Sequence, residues 1–575
     1  MSSKTGLADE IRQRMGEQVA SDAKLMAECL NICDIYNITA EDLQYRWEAV
    51  TYNSAAPSRA LEVRFTADTL QTVKQDLSRN SSADVTRKTN TRGNATALAN
   101  AAMKRKVPAF MNRNQAPKRE DGVVKMEAVD GGVGASYDDA VASTSAVAFE
   151  GPKREEWKER AYRYMYEKPG ERGEVLDDRI DEIAELIREY YKIPEFGDPS
   201  ASTDEEVVVV GRIVHDQENL SSGAKLTDTN LAVESSRMLS NGVRVPLRLE
   251  AGLKVRGCAQ GAGGFGLFPG AIIGLRGKNG GGGWFSVSEI IAPPPMKSTP
   301  PLKRDPGSFS MYIGSGPFTP DANLDYSSWK ALLKILKQTK PAVVVLIGPF
   351  VDCKHPMFES GEVDEGPLTF FRRVFLEPLR DFLASSPLSI VALIPSIRDL
   401  ISSHVVFPQC ELGPEASLSN QPRIKLLPNP AVFSLNGIRF SASSVDVLFH
   451  LRTQELLKRG EEVGPVVPLS PDDSGSDAMG NLCRHILQQR SFYPIFPVPL
   501  DVSSDVNLDV THSKTLSLEE NPPDVLILPS SKLKQFSKRV QTTRVVNPSS
   551  LLKNVYATVS VSSSGIEADV IKMEE

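Results

Sequence analysis

The residues best suited to chemistry in this chain lie in a few loops of its second half. Two of these loops end in a carboxylate, Asp352 and Asp399, and one of them also carries Arg398. Five histidines lie in the same half: His355, His404, His450, His485 and His512. Carboxylates and imidazoles that converge are the ligands of a two-metal hydrolytic site, so metal-dependent hydrolysis is the first chemistry to consider.

The spacing of these residues argues against that chemistry. No two of the five histidines lie within a few residues of each other, as two ligands of one ion on a helix or turn would, so we expect a packing or surface role for each. The six cysteines, with Cys29 and Cys33 in a helix-like segment, form neither a disulfide framework nor a zinc quartet, which indicates a reducing compartment. The run Gly277-Lys278-Asn279 lacks the upstream glycine and the Ser or Thr of a phosphate loop, so we expect no nucleotide and no other cofactor.

The loops follow the strands of a predicted α/β domain that spans residues 308–575. Apolar runs at 311–313, 342–347, 390–394 and 525–528 predict buried strands, and helical spacing predicts helices at 326–338 and 368–383. Ligand sites of such sheets form in the loops after the strands, so the four strand ends decide what the domain can do. They read GSGPF at 314–318, GPFVD at 348–352, PSIRD at 395–399 and LPSSK at 528–532.

The first 152 residues predict a small helical domain on a tether. At 575 residues the chain is too long for one core, and within residues 1–78 the apolar residues recur at the spacing of four short helices, which predicts a helical bundle suited to docking a partner. Between residues 80 and 150 there is no Ile, no Trp and only one Leu, Leu98, so residues 79–152 predict a flexible linker. Its run Lys104-Arg105-Lys106 could act as a nuclear import signal, although so short a run is also typical of solvated charge.

A second domain is predicted between the linker and the α/β domain. A helical segment at 153–200 leads into 201–295, where short β-branched strands separated by Gly-rich turns predict a small barrel of the OB type. A Pro-rich connector follows at 296–307. Thr299 and Ser470 each precede a proline in loop-like sequence and are candidate phosphorylation sites. The fold class is thus multidomain α+β.

Charge and hydropathy narrow the function classes. A formal net charge of −7 argues against a protein that coats nucleic acid, because phosphate binding needs an excess of clustered Lys and Arg. The N-terminus has no apolar core of a signal peptide, and no run reaches membrane-spanning length. We therefore expect a soluble intracellular protein that does not bind membranes.

The order and spacing of the four strand ends resemble those of the calcineurin-like metallophosphoesterases. In that family the corresponding loops carry the Asp, Asn and His ligands of two metal ions. Here the positions that match those ligands hold other residues: Gly316, Phe318, Pro349, Ile397 and Arg398. The loop at 528–532 also contains no histidine. The resemblance therefore implies a phosphoesterase-like domain without its metals, in which Asp352 and Asp399 keep a structural role.

A barrel followed by such a domain resembles the B subunits of the replicative DNA polymerases alpha, delta and epsilon. Residues 265–279, reading FGLFPGAIIGLRGKN, and 343–352, reading VVVLIGPFVD, carry the family resemblance. The alpha branch is favoured by the segment 162–187, by SFYPIFP at 491–497 and by VVNPSSL at 545–551, together with the helical N-terminal domain and the long tether.

This resemblance implies a nuclear, non-catalytic subunit of the DNA polymerase alpha–primase complex. It implies binding to the zinc-binding C-terminal region of the catalytic subunit and to the primase subunits, contacts with other replication factors through the N-terminal bundle, and only indirect contact with DNA. Three alternatives stay open: an active phosphoesterase or nuclease, a barrel that binds single-stranded DNA, and the B subunit of another replicative polymerase. For the barrel, Lys225, Arg237, Arg244 and Arg248 are too scattered along the sequence to decide.

Overall fold

A computed structural model of the protein describes most of the chain after residue 146. The described residues there are 147–152, 164, 166–216, 225–297, 306–416, 421–469, 473–518 and 521–573; before them the structure describes 22–36 and individual residues between 11 and 74. The chain divides into two compact units, Met1–Ala135 and Ser136–Glu575. Lys104, Arg105, Lys106, Thr299 and Ser470 lie outside the described residues.

The first unit contains helix α1, Ala23–Tyr36. Its described apolar residues form one buried cluster, which includes Cys29 and Cys33 one turn apart on α1 and, from other segments, Leu43, Trp47 and Leu70. These residues follow the helical spacing of the sequence. The four-helix bundle itself stays a prediction, because much of residues 1–78 lies outside the described part.

The barrel is built from five strands that close on themselves. These are β2 (Val207–His215), β3 (Leu231–Glu234), β4 (Arg244–Arg256), β6 (Ile272–Lys278) and β7 (Phe285–Ile291). Antiparallel pairing joins β4, β3, β2, β6 and β7 in that order, and β7 returns to pair with β4 in parallel. This closure and this order are those of an OB barrel. A short helix, α3 (Arg237–Ser240), connects β3 to β4.

Helix α2, Pro169–Tyr191, packs against the outer face of the barrel wall formed by β2 and β6. Ile180, Ile183 and Ile187 are buried on one face of α2 and share a core with Val210 and Ile272 of the barrel. Three isoleucines at helical spacing in the predicted segment 153–200 therefore pack on the barrel, whereas Tyr190 at the end of α2 is exposed.

The α/β domain contains two six-stranded sheets. The first has the order β11-β10-β9-β8-β19-β20, and the second has the order β1-β12-β13-β16-β18-β17. The strands of the first sheet are β8 (Phe309–Ser315), β9 (Val343–Ile347), β10 (Ile390–Ile394), β11 (Ile424–Leu426), β19 (Val555–Ser562) and β20 (Gly565–Lys572). Those of the second are β1 (Phe149–Glu150), β12 (Ala431–Leu435), β13 (Ile438–Ala442), β16 (Val525–Ile527), β17 (Phe536–Val540) and β18 (Thr543–Asn547).

The helices of this domain lie between the strands in sequence. They are α4 (Ser327–Thr339), α5 (Pro356–Glu359), α6 (Pro367–Phe371), α7 (Glu377–Ser385), α8 (Val447–Gln454), α9 (Ala478–Gln488), α10 (Ser503–Val506) and α11 (Ser513–Leu516). A π-helical turn, Arg372–Leu376, joins α6 to α7. Short 3₁₀ turns occur at Pro414–Ala416, Val510–His512 and Leu551–Lys553. Among the described residues no helix is long and apolar enough to cross a membrane.

The two sheets face each other across a shared core, as strand alternation requires. In β9, Val343, Val345 and Ile347 point into the core between the sheets, whereas Val344 and Leu346 point to the core beneath α4 and α7. The outer face of the second sheet contributes to a different core that also contains barrel residues such as Val209 and Leu247. The barrel and the α/β domain therefore share one hydrophobic core.

Main-chain pairing also joins the barrel to the α/β domain. Strand β14 (Leu456–Arg459) pairs with β5 (Gly264–Leu267), and β15 (Glu461–Val463) pairs in parallel with β4. Of the Gly-rich stretch 261–266, Gly261 and Gly263 lie in a predicted turn with positive φ, whereas Gly264 and Gly266 belong to β5. Gly264 permits the pairing because a Cβ there would overlap the main chain of Lys458.

The end of the predicted linker is part of the second sheet. Residues 147–152 are described, and strand β1 within them pairs antiparallel with β12, so that Phe149 lies opposite Leu435. Phe149 stacks on Phe433, and Asn436 accepts a hydrogen bond from the Ala148 N–H at 2.9 Å. The predicted linker of 79–152 therefore includes a docked strand at its C-terminal end.

Candidate functional site

The carboxyl ends of six parallel strands meet at one cleft. Strands β8, β9 and β10 run parallel in the first sheet, and β13, β16 and β18 run parallel in the second. The residues that follow each of these strands line a cleft of about 110 Å³. The four loops predicted from the sequence are brought together there, at the place where α/β domains bind their ligands.

Four of the five positions that match lost metal ligands line this cleft: Gly316, Pro349, Ile397 and Arg398. The side chains of Pro349 and Ile397 offer no donor atom to a metal ion. A Cβ at Gly316 would overlap the carbonyl oxygen of Pro349 and lie 2.9 Å from its nitrogen, so no side chain fits there without movement of the main chain.

The fifth position, Phe318, lies in the core beneath the first sheet. Its ring centroid is 5.6 Å from that of Phe350, 5.0 Å from that of Phe375 and 5.9 Å from that of Trp329. Phe318 is 1% exposed and therefore stabilises the domain by apolar burial.

Arg398 pairs with Asp352 at the cleft. Its Nε donates to Asp352 Oδ1 at 3.0 Å, and its Nη2 donates to Oδ2 of the same carboxylate. Asp352 is 8% exposed and also accepts a hydrogen bond from the Lys354 N–H at 3.0 Å. The guanidinium neutralises the one carboxylate of the second loop and places a fixed positive charge beside the cleft.

Asp399 ties the second loop to the third. Its Oδ1 accepts hydrogen bonds from the N–H groups of Phe350 and Val351, and its Oδ2 accepts one from the Ser396 N–H at 2.8 Å. Burial raises the pKa of Asp399 to about 7, although these three donors favour the ionised form. A Cβ on Gly348 would overlap Asp399 Oδ2. Asp399 therefore organises loops and turns its oxygens away from any ligand.

The opposite wall of the cleft comes from Lys532 of the fourth predicted loop and from Asp446 and Asp505, which the sequence did not single out. Asp446 caps helix α8 by accepting a hydrogen bond from the Phe449 N–H at 3.1 Å, and burial raises the pKa of this carboxyl. Lys532 Nζ lies 4.2 Å from the ring centroid of Phe449. Asp505 pairs with Lys354 at 2.5 Å. An aspartate before an apolar run is a helix-cap signal that could have found Asp446, whereas nothing local marks Asp505.

The histidines have separate structural roles. Burial lowers the pKa of His450, which lies at the cleft, to about 4, and its Nδ1 is 3.1 Å from the Tyr493 hydroxyl. His355 caps α5, and His485 lies 2.9 Å from Glu455. His404 and His512 both pack against Tyr164, and His512 also lies 3.2 Å from Asp509. Among the described residues no three His, Cys, Asp or Glu side chains are arranged to hold a metal ion.

Most of the barrel's basic residues considered for nucleic-acid binding are engaged by neighbouring groups. Arg237 pairs with Asp177 at 2.5 Å, and Arg244 pairs with Glu234 at 2.8 Å. The Arg248 guanidinium lies 3.5 Å from the ring centroid of Trp284. Lys225 is exposed at the edge of the described part.

Two family models match the chain. The model that describes the B subunit of DNA polymerases alpha and epsilon matches residues 311–538, which cover most of the α/β domain. The model that describes the OB domain of the DNA polymerase alpha B subunit matches residues 173–292, which cover most of helix α2 and the barrel. The expected OB barrel is confirmed by this match and by the strand order.

Relatives from several eukaryotes are similar to the chain, and they are named as the B subunit of DNA polymerase alpha. The relative from Schizosaccharomyces pombe is 32% identical over 406 residues, which are 68% of this chain and 66% of the relative. The relative from Saccharomyces cerevisiae is 28% identical over 73% of this chain and 63% of its own length. The relative from Bos taurus is 28% identical over 66% of this chain and 57% of its own length. The aligned region thus spans less than two thirds of each of these three relatives, from 57% to 66% of their length.

The likeness to solved structures is weak. A crystal structure of a protein from Thermus thermophilus covers 46% of this chain and 98% of its own, at 12% identity and a TM-score of 0.20. A score at this level assigns no fold.

Proposed function

The chain belongs to the family of the B subunits of DNA polymerases alpha and epsilon, and on that premise we propose that it is the non-catalytic B subunit of a nuclear DNA polymerase alpha–primase complex. In this role the chain would catalyse neither primer synthesis nor DNA extension. It would instead hold the catalytic subunit, through that subunit's zinc-binding C-terminal region, next to the primase subunits.

The observation that carries the proposal is the content of the cleft. Six strand ends converge there as in a hydrolase, yet the positions expected to bind metal hold Gly316, Pro349, Ile397 and the guanidinium of Arg398. A guanidinium raises the electrostatic cost of placing two divalent cations beside it. The framework therefore supports docking better than catalysis.

The shared core supports a scaffolding role. Because the barrel and the α/β domain bury one common core and pair strands across their junction, they offer partners a single rigid surface. The N-terminal unit would reach other replication factors on the segment that precedes strand β1. Such a tether raises the local concentration of whatever the N-terminal unit binds.

Co-purification and a hydrolysis assay together test this proposal. A tagged chain expressed in its own cells should recover the polymerase alpha catalytic subunit and primase from nuclear extract. Recovery of the delta or epsilon catalytic subunit would assign the chain to another polymerase. The purified chain should release no product from bis-p-nitrophenyl phosphate with added Mn²⁺ and should carry no stoichiometric Mn, Fe or Zn; metal-dependent turnover would favour the phosphoesterase alternative.

The barrel alternative has its own test. The full chain should bind a single-stranded oligonucleotide weakly in a fluorescence-anisotropy titration at low and at moderate salt, about 50 mM and about 200 mM. Tight binding with a steep salt dependence would favour a nucleic-acid-binding barrel.

A further inference from the structure

A second, smaller pocket lies where helix α2, the barrel and the α/β domain meet. Its volume is about 60 Å³, and its walls include Leu176 of α2, Gly270 and Ile272 of the barrel, and Phe496. These residues belong to three of the segments that carry the family resemblance, 162–187, 265–279 and 491–497. The packing is close, since a Cβ on Gly270 would overlap the main chain of Pro494 and Phe496.

Arg212 of strand β2 brings a buried charge to this pocket. It is 3% exposed, its Nη2 donates to the Leu176 carbonyl at 2.6 Å, and its guanidinium lies 5.4 Å from the Phe496 ring centroid. Among the described residues no carboxylate lies within 4.0 Å of the Arg212 guanidinium, and no other hydrogen bond of its guanidinium is present. A buried charge without a counter-charge is costly, so this position calls for an anion.

The nearest acids do not supply that anion. Glu234, which lies opposite Arg212 in the β2–β3 pairing, binds Arg244 at 2.8 Å. Asp177 on α2 binds Arg237 at 2.5 Å. Both carboxylates are therefore held by other arginines.

A second guanidinium adds to the positive charge of the pocket. Arg179 of α2 lines the same pocket, where it donates to the carbonyl of Gln489 and pairs with Glu182 at 3.2 Å. Burial lowers the pKa of Arg212, the carboxylates of Glu234 and Asp177 oppose this shift without contacting the guanidinium, and the charge of Arg179 adds to it. An anion in the pocket would relieve both effects.

We propose that this pocket is a binding site for a carboxylate carried on a short apolar group, with Arg212 as its charge partner. The planar guanidinium fork matches the two oxygens of a carboxylate. Most of the remaining walls, including Val175, Ile495 and Leu516, are apolar, although Gln489, Ser491 and Ser513 also line the pocket. This mainly apolar lining suits the carbon atoms of the ligand better than the three hydrated oxygens of a phosphate. A short free acid and the glutamate side chain of a partner polypeptide share this chemistry.

Ligand-observed saturation-transfer NMR on the full chain tests the site. Propionate, which reproduces a glutamate side chain, should receive saturation, whereas its neutral analogue propionamide should not. N-acetylglutamate amide, compared with N-acetylglutamine amide, distinguishes the sources: binding at least tenfold tighter than that of propionate indicates a polypeptide, and equal or weaker binding indicates a free acid. Either result supports the site, provided that the neutral analogues do not bind.

Two variants assign the binding to Arg212. Arg212→Met should weaken propionate binding at least tenfold, and Arg212→Lys, which keeps the charge but loses the fork, should weaken it less. Arg373→Met removes an exposed arginine outside the pocket, whose partner Glu365 lies away from Arg212, and should leave propionate binding unchanged. Equal binding of propionate and propionamide to the wild-type chain would overturn the proposal whether or not Arg212→Met folds. So would unchanged binding in a folded Arg212→Met, or displacement of propionate by an equal concentration of chloride or inorganic phosphate.

Discussion

Replacing Asp399 by asparagine is expected to change how the stability of the chain depends on pH. Asp399 is 2% exposed, and its burial raises the pKa of the carboxyl to about 7. The same carboxyl in the unfolded chain has a pKa of about 3.9, the ordinary value for Asp. Between these two pH values the folded state holds a proton that the unfolded state has lost. The stabilisation from this group is therefore complete below pH ~4, falls as the pH rises and is lost above pH ~7.

The magnitude follows from the difference between the two pKa values. A difference of about three pH units corresponds to about 4 kcal/mol, at about 1.36 kcal/mol for each unit. Asparagine cannot titrate. Its side-chain amide also directs an N–H donor toward the backbone N–H groups of the two loops, which lowers the free energy of unfolding by about 1–3 kcal/mol at every pH. The wild-type advantage over Asp399→Asn should therefore grow by up to about 4 kcal/mol as the pH falls from about 8 to about 4.

Thermal unfolding followed by circular dichroism at several pH values between about 4.5 and about 8 measures this effect. Subtracting the stability of Asp399→Asn from that of the wild type at each pH removes the contribution of the carboxyls that both chains share. Asp364→Asn, which changes an exposed carboxyl of the same domain, serves as the control for loss of a charge. Wild-type and Asp399→Asn profiles that run parallel across this range would refute the reasoning.

Three further predictions follow from the cleft and the docked strand. Arg398→Met should lower the free energy of unfolding by about 1–2 kcal/mol, because Asp352 loses its charge partner at a partly exposed site. Thermal melts should show that adding Asp352→Asn restores part of this loss. Gly348→Ala should lower the melting temperature by several degrees, whereas Gly366→Ala, where a Cβ meets nothing within 4 Å, should change it little; equal effects would contradict the close packing at Gly348. Phe149→Ala should speed limited proteolysis between residues 147 and 166, because it removes the ring that stacks on the second sheet; an unchanged cleavage rate would mean that this stacking does not hold the strand.

The sequence predicted the strands that are buried on both faces. The runs of β9 and β10 are continuous and apolar because helices cover one face of the first sheet and the second sheet covers the other. Strand β17 was missed because it is mostly half-buried and its polar residues resemble those of loops. Strand β1 carries no local signal, since its two residues pair with β12, which lies far along the sequence.

The candidate site was predictable to the extent that strand ends define it. The four loops identified in the sequence do converge, because parallel strands present their carboxyl ends at one edge. Phe318 was expected at a former ligand position, but its size and apolar character place it in the aromatic core below. Asp505 and Arg212 depend on packing between distant segments, which no local pattern reveals.

Reconstitution from purified subunits tests the central proposal most directly. Mass photometry of the polymerase alpha catalytic subunit and the primase subunits, mixed with and without this chain, measures which particles form. We expect one complex that contains every subunit when the chain is present, and a smaller population of that assembly when it is absent. Complete assembly without the chain, or a chain that remains a separate particle in the mixture, would contradict the proposed scaffolding role.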